Sequence, residues 1–252
     1  VFPIGLDVDR ILREVSDDKA LECQLGTSDL QAQIAEDRGR GRYIFGGLER
    51  CDYTKGLLAR LDIFGHFLTS LRKSKQKKRD ARLYQITSPS RSENPDYQNL
   101  EVILKEEVDL KNRQLRRVHD PIVHVDEGIS PPQNYRFLRE VDVMMVTPLE
   151  DGLNLVAFEY VLAQKFRRGR GLLVLGYCGA ARVLKSAGFG LQDGIVFINP
   201  QEPEDAGEKI LSALTMGHCI SDRLIEHLEK EYRVETWAGR NIEAIVNCRR
   251  EG

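Results

Sequence analysis

Paired cysteines, long apolar runs and net charge are all scarce in this 252-residue sequence. Cys23, Cys51, Cys178, Cys219 and Cys248 are scattered, odd in number and form no CxxC pair. That argues against a zinc knuckle and against a secreted disulfide framework, and it fits a reducing, cytoplasmic setting. No apolar run approaches the roughly 20 residues that a bilayer-spanning helix needs, and no signal-peptide pattern opens the chain. The formal net charge of −2 gives no pull towards nucleic acid or an anionic membrane. GxGxxG is missing, which speaks against a nicotinamide dehydrogenase. GxSxG is missing too, so Ser88 and Ser90 beside Arg91 do not make a hydrolase elbow. There are no internal repeats. The first residues, Val1-Phe2-Pro3-Ile4-Gly5, lack a methionine and read as the interior of a longer protein or as a trimmed piece.

What is present is a strand–helix alternation in a chain with 41% hydrophobic residues, long enough to bury a full core. Short β-prone runs occur at 43–47, 82–86 and 122–125, and buried strands at 141–146, 172–175 and 195–198. Between them, Leu57, Leu58, Leu61, Phe64, Phe67, Leu68 and Leu71 recur at helical spacing. Helices are also expected over 95–112, after Ser130-Pro131, over 153–165, and beyond Pro203. This pattern predicts an α/β fold, a Rossmann-like and mostly parallel sheet with helices on both faces. Ligands of such sheets sit at the carboxyl ends of the strands. Residues 1–42 are assigned to a polar N-terminal segment and linker, 43–232 to the Rossmann-like domain, and 233–252 to a C-terminal helix. The basic run Arg72, Lys73, Lys75, Lys77, Lys78 and Arg79 has no interleaved aromatic residues, so it reads as a solvated helix end.

Three segments follow strands. In Glu49-Arg50-Cys51-Asp52-Tyr53-Thr54-Lys55-Gly56, two cations five residues apart at the sheet mouth can converge on one anion. A departing diphosphate needs such charge, although a surface Arg and Lys in a turn is the plain alternative. In Thr147-Pro148-Leu149-Glu150-Asp151-Gly152-Leu153-Asn154-Leu155-Val156-Ala157-Phe158-Glu159, a helix begins. The free N–H groups of Asn154, Leu155 and Val156 make a natural phosphate site. Asp151 is placed to accept from a sugar, and Glu159, four residues after Leu155, to reach a ribose diol. An acidic N-cap is the plain alternative. In Gly176-Tyr177-Cys178-Gly179-Ala180-Ala181, small residues allow close backbone approach, to a ligand or simply in a packing turn. Together the three describe a sugar-nucleotide cradle.

On these residues the chain resembles the trehalose-6-phosphate synthase family. Arg50 to Gly56 and Thr147 to Val156 look like its two specific signatures. Phe2-Pro3-Ile4-Gly5, Tyr84-Gln85-Ile86, Pro89-Ser90-Arg91, Asn199-Pro200 and Ala213-Leu214-Thr215-Met216 extend the likeness over nearly the whole chain. The resemblance implies the C-terminal, donor-binding half of a two-domain B-type glycosyltransferase. Its donor would be a nucleotide-glucose, UDP-glucose being expected. Its acceptor would be a sugar phosphate, glucose 6-phosphate, held largely by an N-terminal domain. Transfer would retain the anomeric configuration, yield trehalose 6-phosphate, and need no metal or cofactor. By motif, Arg50 and Lys55 would grip the diphosphate. Asp151 and the amides of Gly152, Leu153 and Asn154 would hold the glucose. Leu155 and Val156 would touch phosphate, Glu159 the ribose, and Ile86 the base.

Two departures stand out. Cys51 replaces a usual Leu, a packing change. In Val123-His124-Val125-Asp126-Glu127-Gly128-Ile129, Gly128 falls where the family has a His near the nucleotide, which leaves UDP or GDP open. The stretch 92–120 is divergent as well and bears on the acceptor side. His119 and His124 with Asp120 and Asp126 are read as loop and strand polar groups, not metal ligands. His66 is read as a packed core-edge residue and Trp237 as the anchor of a last helix crossing towards the N-terminal domain. A different acceptor such as glycerol 3-phosphate, a non-catalytic regulatory subunit, and a homo-oligomer are left open. The 252 residues alone are expected to bind nucleotide without transferring sugar.

Overall fold

Strand residues in this chain alternate between two cores, and that alternation fixes the architecture. The computed structural model describes residues 4–16, 29–74, 79–91 and 93–248. Phe2, Pro3, Cys23, part of the polar N-terminal stretch, and Lys75, Lys77 and Lys78 lie outside the described residues. Among the described residues two helices come first, α1 (Val8–Ser16) and α2 (Asp29–Gly39). Then β1 (Tyr43–Arg50), α3 (Leu57–Lys73), β2 (Ala81–Ser88), α4 (Pro95–Leu115) and β3 (Ile122–Val125) follow. The second half holds α5 (Pro131–Glu140), β4 (Val143–Val146), α6 (Leu155–Ala163), β5 (Leu172–Leu175), α7 (Gly179–Ser186) and β6 (Ile195–Phe197). It ends with α8 (Pro203–Met216), α9 (Asp222–Glu231) and α10 (Val234–Cys248).

The strands form one six-stranded parallel sheet in the order β3-β2-β1-β4-β5-β6. Because side chains alternate across a strand, Ile44, Met144, Val146, Leu173 and Leu175 enter one core with α1, α5, α6 and α9. Phe45, Val143, Met145, Leu172 and Val174 enter the other with α3, α4 and α8. The expected doubly covered parallel sheet is what the structure shows. Strand order reverses between β1 and β4, the crevice where sheets of this kind hold ligands.

Several boundaries differ from the sequence reading. β1 extends to Arg50 because its register with β2 runs unbroken to Arg50↔Ser88, satisfying the backbone. Glu49 and Arg50 therefore lie on the strand, not after it. β4 begins at Val143, since Val141 caps α5 through its N–H to the Phe137 carbonyl. α6 starts at Leu155 because Asn154 is left-handed, at φ 55° and ψ 86°. Gly179, read as part of a loop, opens α7. At the other end, Leu6 pairs with Arg233, and α10 begins beside this junction.

Candidate active site

The loops after β1 and β4 are stitched to each other. Asp52 accepts from the Thr54 N–H at 3.0 Å and the Thr54 hydroxyl at 2.9 Å, shaping the short turn Tyr53–Lys55. Gly56 then takes φ +61°, and a Cβ there would lie 2.0 Å from the Thr147 carbonyl oxygen. Only glycine permits both that dihedral and that approach. Thr147 Oγ1 donates to the Gly56 carbonyl at 3.2 Å, and the Leu149 N–H donates to the Thr54 carbonyl at 2.8 Å. The result aims Lys55 at the start of α6.

Between these loops and the ends of β2, β3 and α5 lies a cavity of about 330 Å³. Arg50, Lys55 and Asp151 form one side of it, with Asn154, Leu155, Val156 and Glu159 of the α6 start. The far wall is Ile86, Ser88, Gly128, Ile129 and Asn134. Lys55 Nζ donates to Asp151 Oδ2 at 2.6 Å and lies 3.7 Å from Glu49 Oε2. Asn154 Nδ2 bridges Glu49 Oε1 at 3.1 Å and Asp151 Oδ2 at 2.9 Å. The first-turn amides of Leu155 and Val156 have no partner inside the helix, as at any helix start. The Arg50 side chain is exposed and makes no hydrogen bond or ion pair of its own among the described residues. One wall thus offers two cations and a helix N-terminus to an anion.

The carboxylates differ in state. Burial pushes the Asp151 carboxyl up, but its hydrogen bonds from Lys55, Asn154 and the Gly152 N–H outweigh that and hold it below the usual range. Burial holds Glu159 above the usual carboxylate range, with no opposing partner. Glu49 is also raised by burial, against the pull of Arg60 and Lys55. Arg60, fully buried on α3, is drawn down to about 10 by burial, opposed by Glu49 3.8 Å away. Its Nε donates to Thr147 Oγ1 at 3.2 Å and its Nη1 to Gln85 Oε1 at 3.1 Å. Gly47 leaves room for it, since a Cβ there would sit 2.4 Å from Nη1.

The structure gathers Arg50, Lys55, Asp151, Ile86, Asn154, Leu155, Val156 and Glu159 at one cavity. It does not bring Gly152 or Leu153 to the cavity wall. Their carbonyls accept from the N–H groups of Gly179 and Ala180. The third small-residue segment is therefore a buttress behind the Asp151 loop, because those amides are already used. Glu49 and Arg60 were not singled out from sequence. Arg60 did carry a signal, lying three residues after Leu57 and four before Phe64 on the apolar face of its helix. Glu49 carried none, because burial of a strand-end carboxylate depends on the tertiary fold. His66 packs beside Gly207 of α8. His124 shares a 2.8 Å hydrogen bond with Thr87 Oγ1, and burial lowers its pKa. No trio of metal-ligating side chains converges among the described residues, and no described helix is long and apolar enough to cross a membrane.

The model of Glycosyltransferase family 20 matches residues 1–247 of the chain. The protein belongs to this family. A bifunctional trehalose-6-phosphate synthase/phosphatase of Thermoproteus tenax is 30% identical over 254 residues, covering 99% of this chain and 32% of that protein. A trehalose-6-phosphate synthase of Mycobacterium ulcerans is 31% identical over 221 residues, covering 86% of this chain and 42% of that one. Among solved structures, an E. coli trehalose-6-phosphate protein bound with UDP-2-fluoro glucose matches with TM-score 0.78 and 26% identity, over 97% of this chain and 51% of the other. A Burkholderia xenovorans α,α-trehalose-phosphate synthase (UDP-forming) in complex with glucose-6-phosphate matches with TM-score 0.75 and 24% identity, over 96% of this chain and 50% of the other, a likeness of fold. The chain therefore spans 32% and 42% of the length of the two curated relatives.

Proposed function

We propose that this chain is the donor-binding half of a retaining glucosyltransferase that makes trehalose 6-phosphate from UDP-glucose and glucose 6-phosphate. The observation that carries the reading is a single cavity shared by Arg50, Lys55 and the amides of Leu155 and Val156. A diphosphate placed there meets a planar guanidinium, an ammonium and a helix N-terminus. As the glycosidic bond to the diphosphate breaks, charge grows on the phosphate oxygens, and these groups stabilise it without reorganising. The reading assigns that task to Arg50 and Lys55, with no metal ion or cofactor required. Glu159, raised and without a counter-charge, accepts from the ribose hydroxyls. Asp151 accepts from the donor glucose. Ile86 and Ile129 supply apolar walls for the base. Ile242, Ile245 and Val246 on α10 are exposed at helical spacing, which supports contact with the acceptor-binding domain of a longer protein.

The decisive experiment is a calorimetric titration of the protein with UDP, GDP and ADP. Binding of UDP in preference to the others is expected, and Lys55→Ala should weaken it by at least tenfold, as loss of a charge-assisted contact does. A protein that binds none of the three, or a Lys55→Ala variant that binds like the parent, sinks the reading. In the complete protein the same substitution should lower turnover far more than thermal stability. Glucose 6-phosphate and glycerol 3-phosphate, offered side by side, identify the acceptor.

A further inference from the structure

We propose that Glu49 is a positioning residue of the donor site, holding Asn154 in its left-handed conformation and thereby aiming the Leu155 and Val156 amides at the ligand phosphate. This rests on the donor-site reading above. A non-glycine residue in the left-handed region persists only when its surroundings over-determine it. Asn154, 8% exposed, is one of two non-glycine residues with positive φ among the described residues. Its Oδ1 is buried and has no partner among the described residues, so the side chain is not held by its carbonyl. It is held by its Nδ2, at 3.1 Å from Glu49 and 2.9 Å from Asp151.

These two anchors are not equivalent. Asp151 stands three residues away on the same loop and moves with it. Glu49 stands on β1, 105 residues away in sequence, inside the register with β2. Among the described residues, Glu49 alone ties the Asn154 side chain to the sheet. It is in turn set by Arg60, whose guanidinium is fixed by Thr147, by Gln85 and by the space above Gly47. A path of direct contacts therefore runs from the buried face of α3, through Glu49, to the backbone that presents the phosphate-binding amides. Electrostatics alone assigns Glu49 the opposite effect, because a carboxylate 3.7 Å from Lys55 repels an incoming anion.

The two accounts separate in pyrophosphate and UDP titrations of a small variant set. Glu49→Gln keeps an acceptor for Asn154 and removes a negative charge, so it should bind pyrophosphate at least as tightly as the parent. Glu49→Leu combined with Arg60→Met removes the anchor with no change in net charge. It should bind about tenfold more weakly, the size of a lost positioning hydrogen bond. Adding Asn154→Gly to that pair should recover affinity to within about threefold, since glycine takes positive φ without an anchor. A second reading is independent of whether the paired variant folds. In the otherwise unaltered protein, Asn154→Ala should bind pyrophosphate about tenfold more weakly than Asn154→Gly. Parent-like binding by the folded paired variant overturns the proposal, as do a loss that glycine fails to recover and equal affinities for the Ala and Gly variants. If the parent itself binds neither pyrophosphate nor UDP, the donor-site reading fails first and this inference falls with it.

Discussion

Arg60 is the most deeply buried charge near the site, and its environment fixes what its loss would do. Removing the guanidinium leaves Glu49 buried beside Lys55 alone and strips the hydrogen bonds from Thr147 and Gln85. Breaking a buried pair from one side costs about 3–5 kcal/mol, so Arg60→Met should lower the unfolding free energy measured in urea by about that amount; a loss under about 1 kcal/mol would show that the pair is not a structural brace. Glu159 supports a pH prediction. Its carboxyl is raised by burial, and ribose hydroxyls donate better to the ionised form. Nucleotide affinity should therefore rise as pH climbs through the raised Glu159 pKa and fall below it. Glu159→Gln should flatten that dependence above the ordinary glutamate range, and an unflattened profile assigns the dependence elsewhere. In the unliganded protein the same raised pKa has a stability consequence of definite sign. The folded state holds the proton more tightly than the unfolded chain, so Glu159 contributes a loss of stability as pH rises past the ordinary glutamate range.

Elements decide which loops meet. The connection from β1 to α3 must turn sharply beneath the Thr147 carbonyl, and Gly56 does so at φ +61°. Alanine there meets a dihedral penalty of about 1–2 kcal/mol and a carbonyl oxygen 2.0 Å from its Cβ. Gly56→Ala should therefore destabilise by more than the dihedral term alone and displace Lys55, weakening nucleotide binding together with stability. A variant with unchanged urea midpoint and UDP affinity would refute this. Element scale is also where the sequence was most legible. β3 and β5 were read to the residue because Ile122–Val125 and Leu172–Leu175 are short β-prone or apolar runs between breakers. The end of β1 was not, because Leu48-Glu49-Arg50 is too polar to read as strand, and only pairing with β2 holds it there. The cavity-lining arms at Lys55 and Leu155 were legible as motifs after strands. Glu49 and the use of Gly152 and Leu153 as braces for α7 were not, since both depend on which buried groups find partners.

Across the whole molecule the sheet draws its cover from chain segments that composition alone sets apart. Residues 1–42 read as polar, yet Leu6, Val8, Ile11, Val15 and Ile34 are buried in the core that also holds α5 and α6. Asp37 of α2 is fully buried, accepting from Arg42 at 2.5 Å and from the Tyr84 hydroxyl at 2.7 Å, with Arg82 3.2 Å away. Those contacts tie α2 to β2. Burying each large aliphatic side chain stabilises by about 1.5–3 kcal/mol, so the five together contribute on the order of 10 kcal/mol before chain entropy is counted. That is comparable with the net stability of about 5–15 kcal/mol typical of a domain. Their loss would also uncover Phe158 and Val161 on α6, which line the same core and support the helix that presents Leu155 and Val156 to the cavity. A chain beginning at Tyr43 should therefore lack a cooperative urea transition and bind apolar dyes, whatever its retained motifs. A sigmoidal unfolding curve with a midpoint near that of the 252-residue chain would show that α1 and α2 are accessories and that the sheet with its remaining helices is sufficient for the fold.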